Sequence, residues 1–308
     1  MVNLRQQISE FLHFKIPEQD VPFVVLEEVA EHNYIRYLIQ YDGQEGDPIP
    51  AYFFVPDKEG TLPAILLHHQ HSGERHLGKS EVCGLVGDPY QAFAPTLAKQ
   101  GFAVLAPDSI CFEDRRHNCT GTDPDPQDVA QHYNEMCYRL VQGDTLMRKV
   151  LDDSARGISL LQKHPQIDAH RIGMLGHSYG GNTVLFHMAL DERITFGCAS
   201  GAACSYQYKV DHQFGIEMAE VIPGFAAQFD IADLVKCMAP RHILIVSATE
   251  DNHAMDAPDI VEKASETFAT VGVSNHLEHK RYDGGHPLTV ERFDDIVNWI
   301  TAFAFENT

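Results

Sequence analysis

Hydrophobic and polar positions follow two rhythms along this chain. Continuous apolar runs at residues 63–67, 102–106, 172–175 and 243–246 have no polar face. They read as strands buried on both sides of a parallel sheet. Between them the apolar residues recur at helical spacing. Residues 145–164 place Met147, Val150, Leu151, Ala155, Ile158 and Leu161 on one stripe, and 289–304 do the same with Val290, Phe293, Ile296, Val297, Ile300 and Phe303. Further helices are expected at 89–100, closed by Gly101, at 179–190, and at 258–271 behind Pro258. Ahead of the first apolar run, residues 3–14 predict a short amphipathic helix with Leu4, Ile8, Phe11 and Leu12 inward, stopped by Pro17. Residues 22–41 then predict two strands around the turn Glu31-His32-Asn33, and a third follows at 51–55. Residues 276–282 are strand-like again.

Strands alternating with helices imply an α/β fold, a mostly parallel sheet with helices on both faces. No repeat or linker divides the chain, so residues 1–308 are expected to form one domain, with 1–60 supplying the N-terminal helix and antiparallel strands. Two stretches break the alternation, 109–127 and 202–230. Both are expected to leave strands at the C-terminal edge of the sheet, where open α/β folds bind ligands, and to line a pocket there as insertions.

The chemistry centres on Gly176-His177-Ser178-Tyr179-Gly180, a G-x-S-x-G motif between an apolar run and a helical pattern. A serine on a tight strand-to-helix turn is pushed off the strand end, within reach of a base. The flanking glycines let the two backbones pass closely. The N–H of Tyr179 then lies at a helix N-terminus, suited to stabilise an oxyanion. The alternative is a coincidental Gly/Ser turn, which the strand before it and Gly181 after it oppose.

A serine nucleophile needs a base, and the base an orienting acid. Asp251 and His286 each lie just past a predicted strand, so they can meet Ser178 on one edge. Glu250 competes with Asp251 for the acid role, and Asp256 does so less strongly; Asp251 could instead be a helix-capping carboxylate. His286 could be a histidine at a helix start, while His276 and His279 alternate as sheet-face residues. The backbone N–H of His69 or Gln70 is expected to complete the oxyanion hole, with His71, Phe112 and Tyr206 contacting substrate. His68, His69 and His71 raise the question of zinc, but no H-E-x-x-H or partner set at ligand spacing supports it, so no metal is expected. Asp108, Asp152 and Asp153 read as structural, and Lys79 and Glu81 as polar loop residues without a role.

Composition narrows the partners. With 23 Lys and Arg against 44 Asp and Glu, a net charge of −21 repels nucleic acid and anionic membranes. Seven scattered cysteines without a C-x-x-C fit free thiols and a cytoplasmic location. Neither a signal peptide nor a membrane span is expected from the apolar run lengths.

The segments PAILLHHQHSG, LAKQGFAVLAPD, DAHRIGMLGHSYGG, APRHILIVSATED and YDGGH, between residues 63 and 286, together resemble the dienelactone-hydrolase-like branch of the α/β-hydrolase superfamily, which includes acetyl xylan esterase-like enzymes. The resemblance implies an eight-stranded, mostly parallel sheet with an antiparallel start, and the roles nucleophile for Ser178, acid for Asp251 and base for His286. Dienelactone hydrolases proper use a cysteine nucleophile. Ser178 stands there in this chain, which favours an esterase. The expected activity is hydrolysis of a small carboxylic ester through an acyl-enzyme, without a cofactor. The same machinery acting on an amide is the near alternative, and a non-catalytic ligand-binding protein on this fold the distant one. Oligomeric state is left open.

Overall fold

A computed structural model describes residues 2–17 and 20–306. Among the described residues nine strands form one sheet: β1 (Phe23–Ala30), β2 (Tyr34–Asp42), β3 (Pro48–Pro56), β4 (Leu62–His68), β5 (Ala103–Pro107), β6 (Ile167–His177), β7 (Phe196–Ser200), β8 (His242–Ala248) and β9 (Leu277–Tyr282). Their spatial order is β1-β2-β3-β5-β4-β6-β7-β8-β9. The first three strands and the β3–β5 pair are antiparallel; β5-β4-β6-β7-β8-β9 run parallel. The fold is an α/β fold with a large, mostly parallel sheet flanked by helices.

The apolar runs sit at its centre. All seven residues of β4 and all five of β5 are buried. One face is covered by α1 (Val2–Phe11), α5 (Leu146–Lys163), α6 (Tyr179–Leu190), α8 (Ile231–Met238) and α9 (Ala257–Thr270). The other is covered by α3 (Phe93–Gln100) and α10 (Val290–Glu306), through Phe93, Leu97, Ile296 and Ile300. Thr145 caps α5 by accepting from the Arg148 N–H, and Gly101 closes α3 in the left-handed conformation, φ 105°.

The sheet has one strand more than the resemblance implies. The added strand relative to the sequence pattern is β7, Phe-Gly-Cys-Ala-Ser, whose small residues carry little strand propensity. Gly197 is there because a Cβ would run into the Met188 sulfur.

Lys79 is not a loop residue. It lies on α2 (Lys79–Val82), 1% exposed, with its ammonium held by Asp108 (2.8 Å), Glu113 (2.5 Å) and Asp114 (2.6 Å). Those three carboxylates converge as metal ligands would, and the ammonium occupies their focus. This pins the segment after β5 to the segment after β4. Removing one partner of a buried ion pair leaves uncompensated charge, so Lys79→Met is expected to lower stability by about 3–5 kcal/mol, read from urea unfolding. A loss under 1 kcal/mol would show the carboxylates relaxing into water.

Candidate active site

Parallel pairing brings four strand ends to one edge. β4 ends before His69, β6 before Ser178, β8 three residues before Asp251 and β9 four before His286. The turns after β8 and β9 are tied together: Thr249 N–H donates to Tyr282 O and Glu250 N–H to Gly284 O, both at 2.9 Å.

Ser178 sits on the elbow with φ 56° and ψ −121°, a conformation that costs a non-glycine residue about 1–3 kcal/mol and persists only where the surroundings impose it. The flanking glycines explain how. A Cβ on Gly176 would overlap the Gly180 carbonyl, and one on Gly180 would overlap the His68 carbonyl. The same contact sets the residues after β4 against the start of α6.

His286 Nε2 lies 2.8 Å from Ser178 Oγ, and His286 Nδ1 lies 2.9 Å from Asp251 Oδ1. Asp251 is 1% exposed and also accepts from the His253 N–H at 2.9 Å. Burial pushes its carboxyl up, but the hydrogen bond and charge of His286 outweigh this and hold it below the usual range. As an ionised acceptor it fixes the proton of His286 on Nδ1, leaving the Nε2 lone pair for the Ser178 hydroxyl. Glu250 points to solvent, and Asp256 is engaged with Ser205 N–H (3.0 Å) and Oγ (2.5 Å). His276 and His279 stay on the sheet margin, bonded to Pro240 O and Ser247 Oγ.

The three histidines after β4 diverge. His68 Nε2 meets Ser154 Oγ at 2.8 Å. His69 accepts the Ser109 N–H on Nε2 and donates from Nδ1 to Gln70 O at 2.7 Å, and burial pushes its pKa down to about 4. His71 accepts the Gly73 N–H on Nδ1 and donates from Nε2 to Glu217 at 2.6 Å. Their ring nitrogens do not converge on a common point.

Of the residues expected to touch substrate, two are packed behind the site. Phe112 is fully buried among His69, His71 and Tyr179, with ring centroids at 4.8, 6.3 and 5.1 Å. Tyr206, at the start of α7 (Tyr206–Asp211), belongs to the core: its ring lies tilted against Phe225, centroids 5.5 Å apart, and its hydroxyl donates to Glu220 O at 2.8 Å. His71 alone of the three lies at the rim. Through Glu217 it joins stretch 202–230 to the segment after β4.

A cavity of about 340 Å³ adjoins His286, walled by Gln70, Leu77, Glu81, Asp88 and Pro287 among others, with nothing from 109–127 or 202–230. Larger surface hollows, about 650 and 750 Å³, lie beside α1 and include none of the three candidate catalytic residues.

Three further residues serve this edge, His177 from a variable position of the G-x-S-x-G motif and His253 and Arg292 without any motif. His177 and His253 pack against the His286 ring from two directions, with centroids at 4.8 and 4.7 Å. Arg292, 3% exposed on α10, donates to the carbonyls of Asp283, Gly285 and Pro287, bracketing His286. The stripe pattern marks Arg292 only as a polar position beside Phe293. Arg292→Leu is expected to lower kcat by about a hundredfold on any ester, because a base displaced by about 1 Å loses that much. Unchanged kcat would show that the 283–287 loop holds itself.

Comparisons with known proteins place the chain in a family. The model of the acetyl xylan esterase family matches residues 23–226. The chain belongs to the acetyl xylan esterase family. It is a hydrolase acting on esters. Asp251 and His286 lie beyond the matched span. The Bacillus subtilis (strain 168) protein YtaP is 29% identical over 275 residues, covering 85% of each chain. Among solved structures, the acetyl xylan esterase from Paenibacillus sp. R4 superposes with a TM-score of 0.63 at 16% identity over 97% of this chain and 93% of that one. A glucuronoyl esterase from Solibacter usitatus gives 0.69 at 15% identity over 97% and 91%. At these identities the structures speak for the fold, and the family match for the chemistry. The acetyl xylan esterase side of the resemblance is the one the family model supports.

Proposed function

We propose that this member of the acetyl xylan esterase family is a serine carboxylesterase that removes short acyl groups through a Ser178-His286-Asp251 triad. The observation that carries the reading is the hydrogen-bonded line from Ser178 through His286 to Asp251, starting on the strained elbow. Ser178 Oγ bonds to the ester carbonyl carbon as its proton passes to His286 Nε2. The carbonyl oxygen becomes an oxyanion facing the Tyr179 N–H, which has no intrahelical partner at the start of α6, and an N–H of His69 or Gln70. The tetrahedral intermediate expels the alcohol oxygen, which takes the proton back from His286. Water then repeats the sequence on the acyl-enzyme and releases the carboxylic acid.

Family membership and the modest, polar-walled cavity support a short acyl group such as acetyl on a hydroxylated alcohol. An amide substrate would use the same residues. The seven unpaired cysteines favour a reducing, cytoplasmic setting, and among the described residues no helix is long and apolar enough to cross a membrane. The reading is tested with p-nitrophenyl esters. The specificity constant kcat/KM is expected to be highest from acetate to butyrate and to fall by octanoate, since each added methylene gains about 0.8 kcal/mol only where apolar wall receives it. A maximum at octanoate would contradict it.

A further inference from the structure

The cavity beside His286 contains a buried carboxyl group that the triad does not use. Glu81, on α2, is 3% exposed and lines the cavity together with Gln70, Asp88 and His286. Gly87, at φ 75°, packs so closely on its carboxyl that a Cβ there would collide with it. Among the described residues, both hydrogen bonds to this group end on one oxygen: Gln70 Nε2 donates to Oε1 at 3.3 Å and the Asp88 N–H at 3.2 Å. Oε2 has neither donor, and it is not among the polar atoms sealed away from solvent without a partner. Because Glu81 lines the cavity, the cavity is the space this oxygen can reach. A carboxyl oxygen in so buried a side chain calls for a partner, and here only something in the cavity can supply one.

Two observations fix the class of partner. Burial pushes the Glu81 carboxyl up to about 7, so near neutrality it is present both as an acid that donates and as an anion that accepts. A hydroxyl pairs with either form, because it both donates and accepts. A carboxylate would pair only with the acid and would be repelled by Asp88 and Glu74, which line the same cavity. The position fixes which part of the ester is held. His286 must return its proton to the leaving oxygen, so the space walled by His286 continues from the alcohol side.

We propose that Glu81 is a specificity-determining residue that hydrogen-bonds a hydroxyl on the alcohol part of the ester. This rests on the serine esterase reading above. The side chain is placed by its Gln70 and Asp88 contacts, so it requires no rearrangement to receive the hydroxyl.

The experiment compares glycerol 1-monoacetate with propyl acetate, which differ only in two hydroxyls, using p-nitrophenyl acetate as reference. Wild type is expected to favour the glycerol ester by at least about tenfold in kcat/KM, since a site built for a hydroxyl discriminates strongly against its absence. Glu81→Met should bring that ratio near one and leave p-nitrophenyl acetate within about threefold. Glu81→Gln keeps an acceptor for the Asp88 N–H and offers an amide to the cavity, so it should fold as wild type and restore part of the ratio. An equal loss on all three esters in either variant would make Glu81 a structural residue and overturn the proposal. So would a wild-type ratio near one, or a ratio unchanged in Glu81→Met. A wild-type preference for acetylcholine over the glycerol ester would also overturn it, because the carboxyl would then be reading charge. Wild-type turnover of p-nitrophenyl acetate without a hydroxyl preference sinks this inference alone. Absence of any ester turnover sinks the esterase reading itself.

Discussion

Ser178→Ala is expected to fold as wild type and to lose about six orders of magnitude in kcat on p-nitrophenyl acetate, the scale seen when a triad nucleophile is removed. The residual rate would come from the oxyanion donors and binding alone. A fluorophosphonate should label Ser178 in the wild type and nothing in the variant. The chain contains its own control for this test. Ser154 Oγ lies 2.8 Å from His187 Nδ1, and His187 Nε2 lies 3.2 Å from Asp191, so a second Ser-His-Asp line exists. It lies in the core: Ser154 is 2% exposed and His187 and Asp191 are fully buried. Ser154 also meets His68 Nε2, on a regular helix with no elbow. Geometry without access or a strained backbone should give no reactivity. Labelling of Ser154, or full activity in Ser178→Ala, would refute the assignment.

The sequence exposes some parts of this molecule and hides others for physical reasons. Strands β4, β5 and β8 and the second half of β6 show as continuous apolar runs because parallel strands are buried on both faces, and the amphipathic stripe of α5 shows through for the complementary reason. The elbow is legible because its two close backbone approaches demand glycine at fixed spacing. Helix α4 (Asp128–Val141) gives almost no signal, because its pattern is inverted. It buries Asp128, Gln131 and His132 while Val129, Tyr133 and Val141 face outward. Asp128 is buried because both its oxygens accept from Arg116 Nη1, at 2.7 and 2.8 Å, and His132 because Arg75 donates to it at 3.1 Å. Such polar burial depends on partners 12 and 57 residues away, which periodicity cannot register. The cavity wall was hidden in the same manner. Lys79 and Glu81 read as polar loop residues, yet both are buried by contacts with Asp108, Glu113, Gln70 and Gly87.

The candidate acid was open between Asp251 and Glu250 in the sequence, since both follow β8. The backbone turns one of the two carboxyls toward His286 and the other outward. The Glu250 N–H is committed to Gly284 O, which fixes its side chain outward, while the next residue turns under the sheet edge toward His286. Asp251→Asn should therefore lower kcat by about 10⁴, because an amide can donate to Nδ1 and hold the wrong imidazole tautomer. Glu250→Gln should cost less than about threefold, in line with an exposed substitution away from the chemistry. Fluorophosphonate labelling should slow in Asp251→Asn in parallel with kcat, because the serine loses its base, while thermal unfolding should move much less than activity. If Glu250→Gln were the more damaging of the two, the acid would have to reach His286 by a path that the Glu250–Gly284 hydrogen bond forbids.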